Sequence, residues 1–137
     1  LAEAMSWCVG IISAPRIDQV NILNATYEAM HEAVRGLTLS PEFLLIDGNR
    51  FRPYPEIKHA CIIKGDGKYL SIAAASILAK TYRDEIMGFL GVEYPEFGWV
   101  QNKGYPTKNH REVLKARGAT PYHRQSFGPV NQLSLFS

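Results

Sequence analysis

The sequence contains only two cysteines, Cys8 and Cys61, in 137 residues. Each lies in an apolar run (WCVGII and ACII), which predicts buried free thiols and indicates a reducing, cytoplasmic compartment. The chain also lacks any apolar stretch near the roughly 18 residues that a membrane-spanning helix requires. The opening LAEAMSWCVG has neither a start methionine nor the basic and apolar regions of a secretory signal. It has the pattern of the middle of a helix, so we expect the chain to be the later part of a longer protein.

A strong excess of either charge is absent as well. Fifteen Lys and Arg against 13 Asp and Glu give a formal net charge of +2 and a sequence pI of about 8.6. This mild basicity is compatible with a nucleic-acid partner but is too weak to indicate one. Hydrophobic residues make up 46% of the chain, and no repeat, low-complexity segment or linker divides it. These properties predict one globular domain with a real core.

Apolar runs alternate with helical patterns along the chain. Three runs predict buried strands, at Trp7–Ser13 (ended by the turn signal Ala14-Pro15), Phe43–Ile46 and His59–Ile63. Three segments have helical periodicity: Leu23–Leu37, Ile72–Leu90, and a last helix capped by Thr107 that runs to about Arg117 and is closed by Gly118. Residues 50–56 and 91–106 are predicted loops. This alternation indicates an α/β layer fold.

Two acids follow the predicted strands. Asp47 comes directly after the strand in FLLIDGNR, and Asp66 follows the next strand behind Lys64-Gly65. Ligands of α/β sheets gather at the carboxyl ends of strands, and two neighbouring carboxylates need a cation to offset their repulsion. Mg²⁺ takes such oxygen ligands and supports phosphoryl chemistry. The simpler interpretation is that each aspartate begins an Asx turn. KGDGK lacks the spacing of a phosphate-binding P-loop.

The order of several motifs resembles bacterial ribonuclease HII, the type 2 ribonuclease H, over nearly the whole chain. These motifs are VNILNATYEAM, LIDGNR, KGDGKYLSIAAASILAKTYRDE, KGYPTKNH and PYHRQSF. The resemblance implies a ribonuclease H-like fold, a mixed central sheet flanked by helices, with residues 1–130 as the C-terminal part of the catalytic domain. The family's N-terminal Asp-Glu-Ala-Gly-Arg-Gly motif is absent from this sequence. We therefore expect the first two strands to be absent from this chain and sheet edges to be exposed.

The resemblance also implies an activity. The family hydrolyses the RNA strand of RNA–DNA hybrids and nicks on the 5′ side of single ribonucleotides in duplex DNA, a task of DNA replication and repair. It uses two Mg²⁺ or Mn²⁺ ions held by four carboxylates, of which Asp47 and Asp66 are two and the absent motif supplies the others. Gly67 stands where we expect serine. The full-length protein is expected to be a monomer. The alternatives are a catalytically incomplete nucleic-acid-binding fragment and another metal-dependent phosphotransferase on an α/β fold.

Further residues are expected to contact the nucleic acid. Tyr105, in the Lys-Gly-Tyr motif, corresponds to the family's tyrosine that packs on the sugar beside the ribonucleotide. Four basic residues could bind phosphates or merely aid solubility: Lys64, Lys68, Lys103 and Arg124. Asp84 could support the metal site from behind its ligands, although an ion pair with Lys80 is the simpler interpretation.

For four further side chains we expect no metal-binding role. His110 and His123 lack metal-ligand spacing and are given no ligand role. Phe97 and Trp99 are predicted to pack locally.

Residues 131–137 are predicted to form a flexible tail. Within it, QLSLF resembles the pentapeptide by which bacterial proteins bind the DNA polymerase sliding clamp. Leu133, Leu135 and Phe136 would enter an apolar pocket, and Gln132 would supply hydrogen bonds. The alternative is that these apolar residues fold back on the core.

Overall fold

The structure is a computed structural model that describes residues 4–105 and 107–126. Within those residues it contains five α-helices, two β-strands and two 3-10 turns. The helices are α1 (Ala14–Val20), α2 (Ile22–Arg35), α3 (Leu70–Glu93), α4 (Trp99–Asn102) and α5 (Lys108–Arg117). The strands are β1 (Phe43–Asp47) and β2 (Lys58–Ile62), and the 3-10 turns are Gly65–Gly67 and Pro95–Phe97.

The chain divides into two compact units. The first comprises the described residues up to Ile12 together with Leu23–Lys80, and the second comprises Ser13–Ile22 together with the described residues from Thr81 onward. Helix α3 therefore contributes its first half to one unit and its second half to the other.

The first unit contains a parallel pair of strands. β1 pairs with β2 in a register that runs from Phe43 opposite Lys58 to Asp47 opposite Ile62. Leu44 and Ile46 are buried on one face of β1, as the side-chain period of two requires. The strands predicted at Phe43–Ile46 and His59–Ile63 are confirmed to within one residue. Because the pair is parallel, the carboxyl ends of both strands lie at the same edge.

The predicted loop between the strands is confirmed and is held by aromatic contacts. The ring of Phe51 lies 6.4 Å from that of Tyr27, 5.4 Å from that of His31 and 5.0 Å from that of His59. His31 Nε2 also lies 2.8 Å from the carbonyl oxygen of Arg52. These contacts fix the connection against α2 and so define where β2 begins.

The strand predicted at residues 7–13 is wrong. These residues belong to no helix or strand, and Trp7 is 46% exposed. The segment packs on α2 instead, where a Cβ added to Gly10 would lie 1.9 Å from the carbonyl oxygen of Ala29. An apolar run becomes a strand only when a neighbouring strand satisfies its backbone groups, and the described residues supply none here.

The turn predicted at Ala14-Pro15 is wrong too, because helix α1 begins there. Ser13 Oγ accepts a hydrogen bond from the Arg16 N–H at 3.4 Å, which caps the helix. Proline is tolerated in a first helical turn because no N–H is needed at that position. A serine followed by an early proline was therefore a helix-start signal that the sequence reading missed.

The second unit has a small aromatic core. Phe97 and Trp99 are 1% and 4% exposed, and their rings stack with centroids 4.9 Å apart. Leu114 of α5 completes the buried cluster. The predicted local packing of the two aromatic residues is confirmed. The segment predicted as a loop at 91–106 has more regular structure than expected, since it contains the end of α3, a 3-10 turn and α4.

The last helix agrees with its prediction. Thr107 Oγ1 accepts a hydrogen bond from the His110 N–H at 3.1 Å, and Gly118 ends the helix with φ of 80°. Both ends were therefore specified by local sequence.

Both cysteines are free, as predicted, but they are half-buried rather than buried. Among the described residues, no helix combines the length and the apolar character needed to cross a membrane.

Candidate metal and nucleic-acid site

Asp47 and the turn that carries Asp66 meet at the carboxyl edge of the strand pair. Asp47 is the last residue of β1, and its Oδ1 accepts a hydrogen bond from the Gly65 N–H at 2.9 Å. Gly48 N–H donates to the Ile62 carbonyl oxygen at 2.9 Å and continues the ladder past the aspartate. The structure thus brings Asp47 to the residue that immediately precedes Asp66.

Little space is left for a side chain at position 65. A Cβ there would lie 2.6 Å from Ile72 Cδ1 and 3.5 Å from Asp47 Oδ1. The residue is buried, whereas Asp47 and Asp66 are both exposed. The strand ends therefore present two carboxylates to solvent on a backbone that is closely packed beneath them.

The donor chemistry of the two aspartates suits a hard cation. Carboxylate oxygens are the ligands that Mg²⁺ and Mn²⁺ take in proteins. The part of the chain that the structure describes contains no group of three or more His, Cys, Asp or Glu side chains that could hold a metal ion. The resemblance to the family implies four carboxylates, and Asp47 and Asp66 are the two that this sequence contains. Asp84 belongs to the other unit, on the second half of α3.

Two exposed lysines flank the Asp66 turn. Lys64 precedes it in the left-handed conformation, with φ of 53°, and Lys68 follows it. The Lys68 N–H donates to the Gly65 carbonyl oxygen at 2.9 Å, so the turn closes tightly between the two cations. Both side chains are placed where they could neutralise phosphates beside the carboxylates.

An apolar groove of about 710 Å³ lies in the first unit, and Asp47 is among its lining residues. Its walls come from the segment around Trp7, from α2, from β1 and from the small residues of α3 such as Ala75. The AAAS run of α3 therefore leaves space beside β1.

Tyr105 and Lys103 lie in the second unit, on the turn after α4. Tyr105 is 60% exposed, and the guanidinium carbon of Arg83 lies 5.8 Å from its ring centroid. Lys103 is half-buried and left-handed, with φ of 57°.

Arg124 is half-buried and is followed by a segment that Asp18 holds. The Asp18 carboxylate accepts hydrogen bonds from the Gln125 N–H at 2.9 Å, the Ser126 N–H at 3.0 Å and the Ser126 hydroxyl at 2.7 Å. These bonds, with the backbone bond of Ser126 foremost, lower the pKa of Asp18. Sequence reasoning missed this residue, because no local pattern links two positions so far apart.

His110 and His123 form a hydrogen-bonded pair. Their Nε2 atoms are 3.1 Å apart, and the Thr120 N–H donates to His123 Nδ1 at 2.9 Å. Because Nδ1 accepts, the neutral His123 ring carries its proton on Nε2 and donates it to His110. Burial, and then the neighbouring His110, lowers the pKa of His123 to about 4. The pair joins α5 to the turn before Arg124.

The tail residues Gln132, Leu133, Leu135 and Phe136 lie outside the described residues, and their predicted role stays a prediction.

Comparison with known proteins gives a consistent result. A family profile described as "Ribonuclease HII" matches residues 3–130. A protein of that name from Parabacteroides distasonis is 62% identical over 125 residues, which are 91% of this chain and 63% of the relative. Another, from Bacteroides fragilis, is 58% identical over 137 residues, covering 98% of this chain and 68% of the relative. The chain thus spans about two thirds of the length of these relatives.

A solved structure supports the fold. The crystal structure of the ribonuclease H2 from Pyrococcus horikoshii matches with a TM-score of 0.73 and 24% identity, covering 91% of this chain and 66% of that one. At this identity the likeness concerns the fold alone, and it confirms the fold class predicted from the sequence.

Proposed function

The chain belongs to the ribonuclease HII family, and from this we propose that it carries the C-terminal part of an endoribonuclease that hydrolyses the RNA strand of RNA–DNA hybrids. The observation that carries the proposal is the placement of Asp47, whose Oδ1 is held 2.9 Å from the backbone nitrogen of the residue that precedes Asp66. Two exposed carboxylates at one sheet edge, between Lys64 and Lys68, suit a cation that faces a phosphodiester.

We propose that the enzyme nicks on the 5′ side of a single ribonucleotide in duplex DNA. Asp47 and Asp66 would hold Mg²⁺ or Mn²⁺, which when bound supplies Lewis-acid stabilisation of charge on the scissile phosphate. The Gly65 N–H fixes one oxygen of Asp47, so that the carboxylate is oriented before the substrate arrives. Lys64 and Lys68 would position neighbouring phosphates, and Tyr105 would pack on the sugar beside the ribonucleotide.

The remaining two carboxylates are proposed to come from an Asp-Glu motif on a separate segment. The relatives are about half as long again as the stretch they share with this chain. A catalytic site that needs four carboxylates would be completed by such a segment, and its Gly-Arg-Gly would read the 2′-hydroxyl, which distinguishes RNA from DNA.

A cleavage assay tests the proposal. The substrate is a DNA duplex with one embedded ribonucleotide, and an all-DNA duplex is the control. The chain is assayed with Mg²⁺ or Mn²⁺, with and without a supplied N-terminal segment that carries the Asp-Glu motif. A 5′-side nick only with the segment is the expected result, and Asp47→Asn should abolish it.

The other outcomes favour other functions. A nick by the chain alone would mean that Asp47 and Asp66 suffice or have other partners. Binding of the duplex without cleavage in either case would favour a catalytically incomplete nucleic-acid-binding fragment. Failure to bind hybrid duplex would favour a different metal-dependent phosphotransferase.

We also propose that the tail binds a bacterial sliding clamp through QLSLF. The segment would offer Leu133, Leu135 and Phe136 to an apolar pocket on a partner, while Gln132 would give directional hydrogen bonds. Recruitment to a clamp would place ribonucleotide removal where newly made DNA emerges.

A further inference from the structure

The turn that carries Tyr105 is organised by the side chain of Asn102. Its Nδ2 donates to the Phe97 carbonyl oxygen at 2.9 Å, and its Oδ1 accepts from the Gly104 N–H at 2.9 Å. Its own carbonyl oxygen accepts from the Tyr105 N–H at 3.0 Å. Since Phe97 is 1% exposed, Asn102 connects the exposed tyrosine to a fully buried residue of the second unit.

The backbone of this turn has an unusual conformation. Lys103 and Gly104 both have positive φ, at 57° and 86°. The left-handed region costs free energy for a residue with a Cβ such as Lys103, so neighbouring contacts must compensate. The hydrogen bond from the Gly104 N–H to Asn102 is such a contact.

Helix α3 supports the same turn from another side. A Cβ added to Gly104 would lie 2.8 Å from Met87 Cε and 3.3 Å from Arg83 Nη2. The turn therefore rests directly on these two side chains. Arg83 continues past Gly104, with its guanidinium carbon 5.8 Å from the Tyr105 ring centroid, within the range of a cation–π contact.

These contacts leave the Tyr105 ring exposed while its backbone and one side of the ring have partners. An aromatic ring that is 60% exposed is a surface on which a sugar or base can pack, and such stacking contributes strongly to binding. A ring already held in place loses less side-chain entropy when it binds. We infer that Asn102 and Arg83 are positioning residues for Tyr105, Asn102 through the turn backbone and Arg83 through the ring. The inference rests on the proposed role of Tyr105 at the ribonucleotide.

The test measures binding of the full chain to a DNA duplex with one ribonucleotide and to the all-DNA duplex, by fluorescence anisotropy. The preference is the ratio of the two dissociation constants. We expect Tyr105→Ala to lower this preference about tenfold, as loss of one stacking contact does. Asn102→Ala and Arg83→Gln should each lower it about threefold or more, and Arg83→Lys should restore part of the loss.

Asn109→Ala is the matched control. Asn109 is also an asparagine of the second unit whose Nδ2 donates to a backbone carbonyl, that of Glu96, at 3.3 Å. This bond involves none of the residues 102–105, so the preference should be unchanged. Arg83 is exposed, and its replacement should leave the fold intact even if Asn102→Ala weakens it.

Double variants separate positioning from direct contact. If the two residues act through Tyr105, then Asn102→Ala and Arg83→Gln should not lower the preference for the ribonucleotide duplex any further in a Tyr105→Ala background. Losses that multiply would overturn the inference. So would a salt dependence of binding whose slope falls by about one unit in Arg83→Gln, since that change indicates a direct phosphate contact.

Failure of the inference and failure of the proposed function give different results. If Tyr105→Ala leaves the preference unchanged, the proposed role of Tyr105 is wrong and the inference falls with it. If Tyr105→Ala lowers the preference but Asn102→Ala and Arg83→Gln do not, the inference alone is overturned.

Discussion

Asp18 and Ser126 are 108 positions apart in the sequence, and the carboxylate of the first accepts hydrogen bonds from both the backbone N–H and the hydroxyl of the second. Together with the Gln125 N–H, these donors attach helix α1 to the segment after Arg124 within the second unit. They lower the pKa of Asp18 below its usual value of 3.8. Because the folded-state pKa of Asp18 is lowered, these bonds stabilise the fold fully above pH 3.8. The stabilisation is lost as the pH falls through the folded-state pKa.

We predict that Asp18→Ala exposes the Arg124–Gln125 peptide bond to trypsin. Loss of the three hydrogen bonds lets this segment open locally, and proteolysis follows the population of the open form. Cleavage at Arg124 should become about fivefold faster, since hydrogen bonds at an exposed site stabilise a segment only modestly. Limited proteolysis followed by mass spectrometry measures the rate. Gln19→Ala on the same helix is the control, and equal rates in both variants would contradict the prediction.

Two glycines should respond in opposite ways to an added methyl group. Gly10→Ala should lower the free energy of unfolding by at least about 2 kcal/mol, because the new Cβ would collide with the carbonyl oxygen of Ala29. Gly67→Ala should raise it by about 0.5 kcal/mol by restricting the unfolded chain, since a Cβ there meets nothing within 4 Å. Gly67→Ser, which introduces the residue expected at that position, should be tolerated as well.

Urea unfolding of these variants measures the differences. A stable Gly10→Ala variant would mean that the segment before α1 does not pack on α2 as the structure has it.

The fold should lose stability as the pH falls from about 6.5 to about 4, because of His123. Its folded pKa is about 4, below the ordinary value of 6.5, because burial disfavours the charged ring. As the pH falls, His123 is protonated in the unfolded chain before it is protonated in the folded one. The stabilisation is therefore present above pH 6.5 and is lost as the pH falls from 6.5 to about 4. Urea midpoints at several pH values measure the effect. His123→Asn should flatten the dependence in this window, and an unchanged slope would contradict the assignment.

Asp47→Asn and Asp66→Asn should each reduce metal-dependent cleavage at least about a hundredfold, because a neutral amide is a poor ligand for a hard cation. In Asp47→Asn the side-chain amide would still offer an oxygen to the Gly65 N–H, so the fold should be kept. Asp84→Asn should reduce cleavage only a few-fold if its role is to support the site or to pair with Lys80. The assay uses the chain with the supplied N-terminal segment, and circular dichroism checks folding. Full activity of Asp66→Asn would remove that residue from the metal site.

Deletion of residues 132–137 should abolish binding to a bacterial sliding clamp and leave cleavage of a short duplex unchanged. The double variant Leu133→Ala, Phe136→Ala should behave like the deletion, because these side chains would supply most of the buried apolar surface. Surface plasmon resonance with immobilised clamp measures the affinity. Equal affinities of the deletion variant and the full chain would contradict the proposed clamp binding.

Local features of the structure were predictable from the sequence. β1 and β2 were placed to within one residue, because their apolar runs end in residues that favour turns. Thr107 and Gly118 marked the two ends of α5 for the same kind of local reason. Asp47 could be singled out because a carboxylate directly after an apolar strand pattern indicates a functional role or a turn at the strand end.

Other features could not be predicted from local patterns. The run at residues 7–13 has the composition of a strand, but the sheet it would join decides whether its backbone groups find partners. The bonds of Asp18 to Ser126 and of His110 to His123 join distant segments, and no spacing signals them. Asn102 passed unnoticed because its importance comes from three bonds made around a turn rather than from a motif.

The sequence by itself determined the helices and strands whose signals are local, and it singled out the side chains that are proposed to carry chemistry. Only the tertiary structure decided which of those side chains meet. Asp47 reaches the Gly65 N–H because β1 and β2 pair in parallel and end together. The Tyr105 turn is contacted by Asn102 and by Arg83, which lie apart in the sequence. The physical reason is that propensity and capping act over a few residues, whereas pairing register, burial and the lowered pKa of His123 depend on atoms that the folded chain alone brings into contact.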